Sequence, residues 1–482
     1  MPKEKEIETL KKNTIKSAFS LFFQSGYSAV LGFIASLVLT IVLSPSIFGM
    51  YITVLSIISL LNYFSDVGLA ASLIQKKEIT DHDVTTTFTI QQSLIISLIL
   101  IGFVSTQFVK SFYNLPQQGV VLYWALLAAF FISSLKTIPS VFLERKVEFQ
   151  KIVMVQIVEN TLFYICVISL AILGFGLMSF VFAVMIRAIV GLVLIYSISF
   201  WMPRIGVSKS SLNGLLSFGL PFQGSSFLAL FKDDLIILFL GKVLGFELLG
   251  YIGWAKKWAE APIRIIMDNI SRVLFPVISR LQNEPERISS VIHKILRYQT
   301  LLLAPAMVGL AMVVPSIVEF IPKYSKWEPA IPIFYIFCVT AFLSSYSTPF
   351  INMFNALGKA KLSFSFMLFW TITTWICTPL FTKLFGLYGF PATQLILALS
   401  SIFVIVKARQ LLHFEIISSI DKPIILSVIM GAILIGIKSV ISTPIYQIIV
   451  MIPIGAIGYV GLAYMLFRIQ LLTEVKDLFM RK

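Results

Sequence analysis

Cysteine, histidine and acidic charge are what this chain has least of. Its 482 residues include 3 Cys, 3 His and only 23 Asp or Glu. Cys166, Cys338 and Cys377 lie far apart in apolar runs, which excludes a disulfide framework and CxxC metal spacing. His82, His293 and His413 stand singly in polar stretches, so there is no HExxH or other His-cluster metal site. The P-loop pattern GxxxxGKS/T is absent too, because Gly241-Lys242 and Gly358-Lys359 both lack the upstream glycine. The chain therefore carries no ATPase site of this kind. Long polar stretches are equally scarce, and no loop is large enough to house a soluble catalytic domain. That argues against a membrane enzyme built on a substantial external loop.

What is present is hydrocarbon. Hydrophobic residues make up 58% of the chain and charged residues 13%, against about 45–50% and about 25% in soluble domains. Phenylalanine alone occurs 42 times, and the mean hydropathy is +0.92. A compact soluble fold cannot hide that much apolar surface, so the chain reads as an all-α polytopic membrane protein. A helical span needs about 20 apolar residues. Fourteen stretches fit, from 17–43 and 47–70 to 424–442 and 445–467.

Lys and Arg in the connections set the orientation. One side collects 25 of them, including Lys76, Lys77, Arg145, Lys146 and both tails, and the other side six. The N and C termini are accordingly expected in the cytoplasm. The net charge of +15 is then a topology signal plus attraction to anionic membrane lipids, not a nucleic-acid surface. Two stretches, 216–241 and 247–275, are rich in charge and would insert poorly alone. If only one of them spanned, the basic residues from Arg280 onward would move outside, so both are taken as spanning and as facing protein or water.

An internal repeat divides the chain. Phe23-Gln24 opens the first span and Phe222-Gln223 the seventh. Each leads through a long span and a short outer turn to a glycine–tyrosine pair, Gly49-Met50-Tyr51 and Gly250-Tyr251, at intervals of 25 and 27 residues from the glutamine. Six spans separate the copies, so they share orientation and imply two halves related by an axis along the membrane normal. The expected domains are residues 1–210, 211–415 and a C-terminal piece, 416–482.

The segment LSPSIFGMYITVLSIISLLNYFSDVGLAASLIQKKEIT (43–80) resembles the second-span signature of bacterial polysaccharide exporters, the Wzx-type lipid-linked oligosaccharide flippases. KDDLIILFLGKVLGFELLGYIGWAKKWAEAP (232–262) and SRVLFPVISRLQ (271–282) are similar to their seventh and eighth spans. These exporters belong to the multidrug/oligosaccharidyl-lipid/polysaccharide superfamily. The resemblance implies two six-helix bundles around a central cavity plus two extra C-terminal helices, in a bacterial cytoplasmic (inner) membrane. It also implies that Asp66 and Gly68, which match the motif, form a structural turn.

Ionisable residues inside spans cost roughly 2.5–3.5 kcal/mol each on insertion scales, so each needs a partner, water or a function. In the eighth span Lys256, Glu260, Arg264, Asp268 and Arg272 stand four apart with alternating sign. They wind through about 160° over about 24 Å of helix. Two readings fit: a self-neutralising ladder of i,i+4 ion pairs, or a cationic wall, since with Lys257 the six charges sum to +2. Arg187, midway along the sixth span, is the N-terminal candidate for an anion-binding cation. Lys136 either joins it or snorkels to the inner surface. Lys232-Asp233-Asp234 places two repelling carboxylates deep in the seventh span, where one could exchange protons. Asp268 and Glu159 complete the ion-coupling candidates, although Glu159 is better explained by pairing with a nearby cation. Trp254 and Trp258 are expected at lipid or interface.

With the resemblance, these residues suggest a flippase that carries a polyprenyl-diphosphate-linked oligosaccharide from the inner to the outer leaflet. Arg264, Arg187, Lys256, Lys257, Arg272 and Lys136 would face the anionic head group. No cofactor is expected, with membrane potential and H+ or Na+ exchange as the available drives. The polysaccharide polymerase and glycosyltransferases of the same pathway would be partners. The alternative is a cation-coupled multidrug or small-solute antiporter, but the seven basic against five acidic charges singled out within the spans suit an organic cation poorly.

Overall fold

The computed structural model describes the backbone from Pro2 to Met480. It describes side chains for residues 16–465, apart from 18, 19, 22, 218, 220–222, 224–229, 268, 269, 272, 273 and 276. Every regular element among the described residues is helical, as hydrocarbon demands of a backbone that must satisfy its own hydrogen bonds. Among the described residues twelve helical stretches are long and apolar enough to cross a membrane, against fourteen expected. Two of the twelve, Leu230–Met267 with 38 residues and Ala360–Arg409 with 50, are about twice the length that one span needs. Each is interrupted by a glycine outside helical space, Gly245 (φ 78°) and Gly386 (φ 54°). At Gly245 the chain turns back. A Cβ on Gly241 would sit 3.5 Å from a Leu249 methyl, although eight residues of continuous helix extend about 12 Å.

The chain forms two compact units, Met1–Gly250 and Tyr251–Lys482. The first holds α1 (Pro2–Val42), α2 (Pro45–Tyr63), α3 (Leu69–Gln75), α4 (Asp81–Val104), α5 (Thr106–Tyr113), α6 (Gln117–Ser134), α7 (Thr137–Arg145), α8 (Phe149–Ile172), α9 (Met178–Ile198) and the start of α10 (Lys209–Arg280). Local signals set the ends. Ser44 caps α2 by accepting from the Ile47 N–H, with Pro45 at the first helical position, where its missing N–H costs nothing. Thr80 and Asp83 form a capping box on α4. Between α2 and α3 the chain turns through Val67 (φ 49°) and Gly68 (φ 76°), and the Asp66 carboxylate accepts from the Ala70 N–H. The Arg145 guanidinium donates to the carbonyls of Leu73, Ile74, Lys76 and Lys77. It thereby satisfies acceptors that the end of α3 leaves open. The core is aliphatic and packs α2, α6, α8 and α9, with Val54, Leu122, Val167 and Ala183 fully buried.

The repeat glycines meet inside this unit. A Cβ on Gly49 would lie 1.7 Å from the Phe246 carbonyl oxygen, and one on Gly250 would lie 2.0 Å from that of Pro45. Each glycine thus faces a carbonyl four residues before its counterpart. Backbone lies on backbone, a contact only glycine permits. In the turn between α2 and α3 the same closeness recurs, since a Cβ on Gly68 would meet the Gly219 carbonyl oxygen at 2.3 Å.

The second unit continues with α11 (Pro285–Phe320), α12 (Ile331–Ser345), α13 (Ser347–Ala356), α14 (Ala360–Phe385), α15 (Gly389–Leu399), α16 (Ser401–Arg409), α17 (Ile417–Val440) and α18 (Pro444–Met480). Trp254 and Trp258, expected at lipid or interface, are buried here. Trp254 stacks on Trp327 at 5.6 Å and donates its indole N–H to the Tyr324 hydroxyl at 3.0 Å. That hydrogen bond is what lets the indole leave the interface.

Candidate functional site

In the first unit the sixth span brings Arg187 to an exposed position on α9. Its guanidinium stands 5.7 Å over the Phe163 ring, a cation–π seat that fixes its direction. The hydroxyls of Tyr51 and Tyr164 lie within its electrostatic reach, and Tyr51 is held by stacking on Phe180 at 4.0 Å. No carboxylate pairs with Arg187 among the described residues. It is a cation with aromatic and phenolic neighbours and spare N–H donors.

Lys136 lies elsewhere, at the junction of α6 and α7. Its ammonium is 2.6 Å from Glu159 of α8, with 20% and 6% of the two side chains exposed. Gly191 of α9 makes room for the pair, because a Cβ there would fall 1.5 Å from a Glu159 carboxylate oxygen. Lys136→Met should therefore destabilise the protein by about 3–5 kcal/mol, the usual result of leaving a buried charge unpaired. The double variant Lys136→Met/Glu159→Gln should regain most of that loss. Thermal unfolding of the two purified variants checks the expectation.

A polar seam between α1 and α8 went unnoticed in the sequence. Gln24 donates to Gln156, the Tyr27 and Thr161 hydroxyls bond at 2.6 Å, Asn160 donates to Ser28, and Ser17 donates to Gln150. The signal was available as two i,i+4 pairs, Gln24/Ser28 and Gln156/Asn160, each on one helical face.

Asp233 is exposed and Asp234 half-buried on α10. Both act electrostatically on Tyr63 at the end of α2. Among the described residues neither aspartate has a cation within ion-pair distance, and Lys232 pairs with neither. The two carboxylates therefore share a polar position without a neutralising partner.

In the second unit Glu260 stands between two cations, 3.7 Å from Lys256 and 3.1 Å from Arg264. The i,i+4 ladder is formed over these rungs. Arg264 nevertheless keeps 71% of its side chain exposed. Lys256 also rests 5.9 Å over the Phe390 ring, and Lys257 is exposed on the neighbouring flank. Three cations against one carboxylate leave this stretch positive. The side chains of Asp268 and Arg272 lie outside the described residues.

A second feature of this unit is a groove of about 670 Å³ among α11, α17 and α18. Its walls are almost wholly hydrocarbon, with Leu302, Pro305, Met430, Leu434, Ile452 and Val460 among them. Such a groove suits an alkyl or isoprenoid chain and offers nothing to a sugar or a phosphate.

Known proteins share this sequence and architecture. A family model described as "Polysaccharide biosynthesis protein" matches residues 38–332, more than half of the chain. The Escherichia coli (strain K12) "Lipopolysaccharide biosynthesis protein WzxC" is 26% identical over 385 residues, 78% of this chain and 77% of that protein. The "Succinoglycan biosynthesis transport protein ExoT" of Rhizobium meliloti (strain 1021) is 23% identical over 71% of this chain and 69% of its own length. Among solved structures, "Lipid II flippase MurJ, inward closed conformation" aligns with a TM-score of 0.74 at 13% identity, covering 95% of this chain and all of that one. At that identity the likeness speaks for the fold alone.

Proposed function

The chain belongs to the polysaccharide biosynthesis protein family, and from that membership we propose that it flips a polyprenyl-diphosphate-linked oligosaccharide from the inner to the outer leaflet of a bacterial cytoplasmic membrane. The observation that carries this reading is the surplus of cation on helices otherwise made of hydrocarbon: Arg187, with no carboxylate partner among the described residues, and Lys256, Lys257 and Arg264 against a single Glu260. A diphosphate head group needs such donors, and Arg presents them as a planar fork. The apolar groove among α11, α17 and α18 would take part of the isoprenoid tail.

The chain is a transporter, not an enzyme, and its transport proceeds by alternating access with both termini in the cytoplasm. Outward movement of an anion across an interior-negative membrane gains about 2.3 kcal/mol per charge per 100 mV, so no nucleotide hydrolysis is required. Asp233 and Asp234 would add proton or sodium exchange to that drive. Their carboxylates, which have no ion-pair partner among the described residues, are also what a cation-coupled multidrug or small-solute antiporter would use, which makes that the second reading. The cation surplus weighs against it. The glycosyltransferases that build the unit and the polymerase that consumes it are the expected functional partners.

The test is mass spectrometry of lipid extracts from cells lacking the protein, with leaflet-specific labelling of polyprenyl-linked sugars. A completed lipid-linked unit should accumulate on the cytoplasmic side and clear when the intact gene is returned. Absence of accumulation, once a redundant flippase is excluded, would move the protein to the antiporter reading.

A further inference from the structure

One cavity of the first unit is lined mostly by polar side chains with hydrogen-bonding capacity to spare. It measures about 300 Å³ and is bounded by α3, α7, α8 and the ends of α6 and α9, at the low end of the roughly 300–1,000 Å³ typical of small-molecule sites. Its floor is the Lys136–Glu159 pair. One Glu159 oxygen holds Lys136, and the other has no partner among the described residues. Glu159 is 5% exposed, so this oxygen is presented by a fixed, nearly buried side chain. Gln156 accepts from Gln24 through its oxygen, which leaves its amide protons free toward the cavity it lines. Thr137 accepts from Gln91 and keeps its own hydroxyl proton. The Ser133 and Ser140 hydroxyls and the Glu144 carboxylate also line the cavity, with no side-chain partner among the described residues.

Water can reach the more exposed of these groups, Ser133 and Gln156, but donors and acceptors gathered around one void are also what a polar ligand binds. Its chemistry follows from the lining. An anion is disfavoured, because Glu144 and Glu159 outnumber Lys136. A metal cation is disfavoured as well, because the Lys136 ammonium already occupies Glu159. A hydrocarbon would leave every group unsatisfied. A neutral polyol uses them all, accepting from Lys136, Ser133, Ser140, Thr137 and Gln156 and donating hydroxyls to the carboxylates.

We infer that this cavity is a sugar subsite of the first unit, which takes one neutral or N-acetylated pyranose ring of the cargo glycan. The inference rests on the flippase reading and deepens it by separating glycan recognition from diphosphate recognition. Arg187 and the Lys256–Arg264 stretch meet the charge, and the Lys136–Glu159 cavity meets a sugar. Burial also holds the Glu144 carboxyl above the ordinary carboxylate range.

The test is saturation-transfer NMR on the full-length protein in lipid nanodiscs. The probes are neutral hexoses, 6-deoxyhexoses, N-acetylhexosamines and glucuronate, each at about 10 mM to suit a Kd near 1 mM. Transfer should appear for at least one neutral or N-acetylated sugar and not for glucuronate. Ser140→Trp, which fills the cavity, and Gln156→Leu, which keeps the volume and removes the amide, should each weaken it about ten-fold. If Ser140→Trp does not fold, Gln156→Leu decides alone. No transfer, a preference for glucuronate, or transfer that survives both variants overturns the subsite. A thermal midpoint raised by sodium over choline and levelled by Glu159→Gln would make it a cation site and overturn it equally. None of these results depends on the lipid-extract experiment, so the subsite can fail while the flippase stands.

Discussion

Arg187→Ala is expected to lower outward movement of the lipid-linked unit by about ten- to a hundred-fold, with the protein still inserted and present at normal level. The magnitude is that of one charged hydrogen bond, about 1.5–3 kcal/mol. Sparing of stability is the informative half. Arg187 has no carboxylate partner among the described residues, so its removal orphans no buried charge, and it relieves a span of an ionisable group that costs roughly 2.5–3.5 kcal/mol to insert. An arginine kept for folding would show the opposite: a lower thermal midpoint with transport per folded molecule unchanged. Arg187→Lys should lie between, because it retains the charge but loses the planar fork. Arg264→Ala should also impair transport strongly while leaving the Lys256–Glu260 contact in place. Leaflet-specific labelling in cells, read beside the unfolding midpoint of each purified variant, separates these outcomes. Wild-type transport in both alanine variants would remove these cations from the mechanism.

What could be read in advance was whatever depends on local chemistry. The Ser44-Pro45 start of α2 follows from rules that act over a few residues, and so does the i,i+4 order of Lys256, Glu260 and Arg264. Helical class follows from apolar length and the needs of a backbone in lipid. The Asp66–Gly68 turn came with the resemblance. What could not be read was the choice among partners distant in sequence. Nothing in the sequence around Lys136 says that its ammonium goes to Glu159 rather than to the inner surface, because Gly191, from a third helix, creates the space. The same holds for Trp254, whose burial depends on Tyr324 lying 70 residues away. The span count differed for a related reason. The sequence separates 216–241 from 247–275, whereas helix is otherwise continuous through Leu230–Met267, and the return of Leu249 onto Gly241 marks the turn at Gly245.

Gly49→Ala and Gly250→Ala are expected to produce the largest structural effects of any single-methyl change on α2 and its neighbour. At both positions the added carbon would overlap a carbonyl oxygen of the opposing backbone, at 1.7 Å and 2.0 Å. A backbone carbonyl, unlike a side-chain tip, cannot rotate aside, so the segments must separate and forfeit the packing around Met50, Val54 and Phe246. Overpacking of this kind usually costs about 1–3 kcal/mol, with larger values where the obstacle is rigid. Gly26→Ala on α1 supplies the control, because a Cβ there meets nothing within 4 Å and alanine in an open helical position should raise stability by about 0.5–1 kcal/mol. Thermal unfolding of the three variants in one detergent checks the ordering, with Gly49→Ala and Gly250→Ala below wild type and Gly26→Ala at or above it. The reciprocity adds a sharper expectation. Since both methyls open the same contact, the double variant should cost clearly less than the sum of the singles, as coupled neighbours do. Additive losses would mean that the two glycines serve separate packings, and that the likeness of Gly49-Met50-Tyr51 to Gly250-Tyr251 has no shared structural cause.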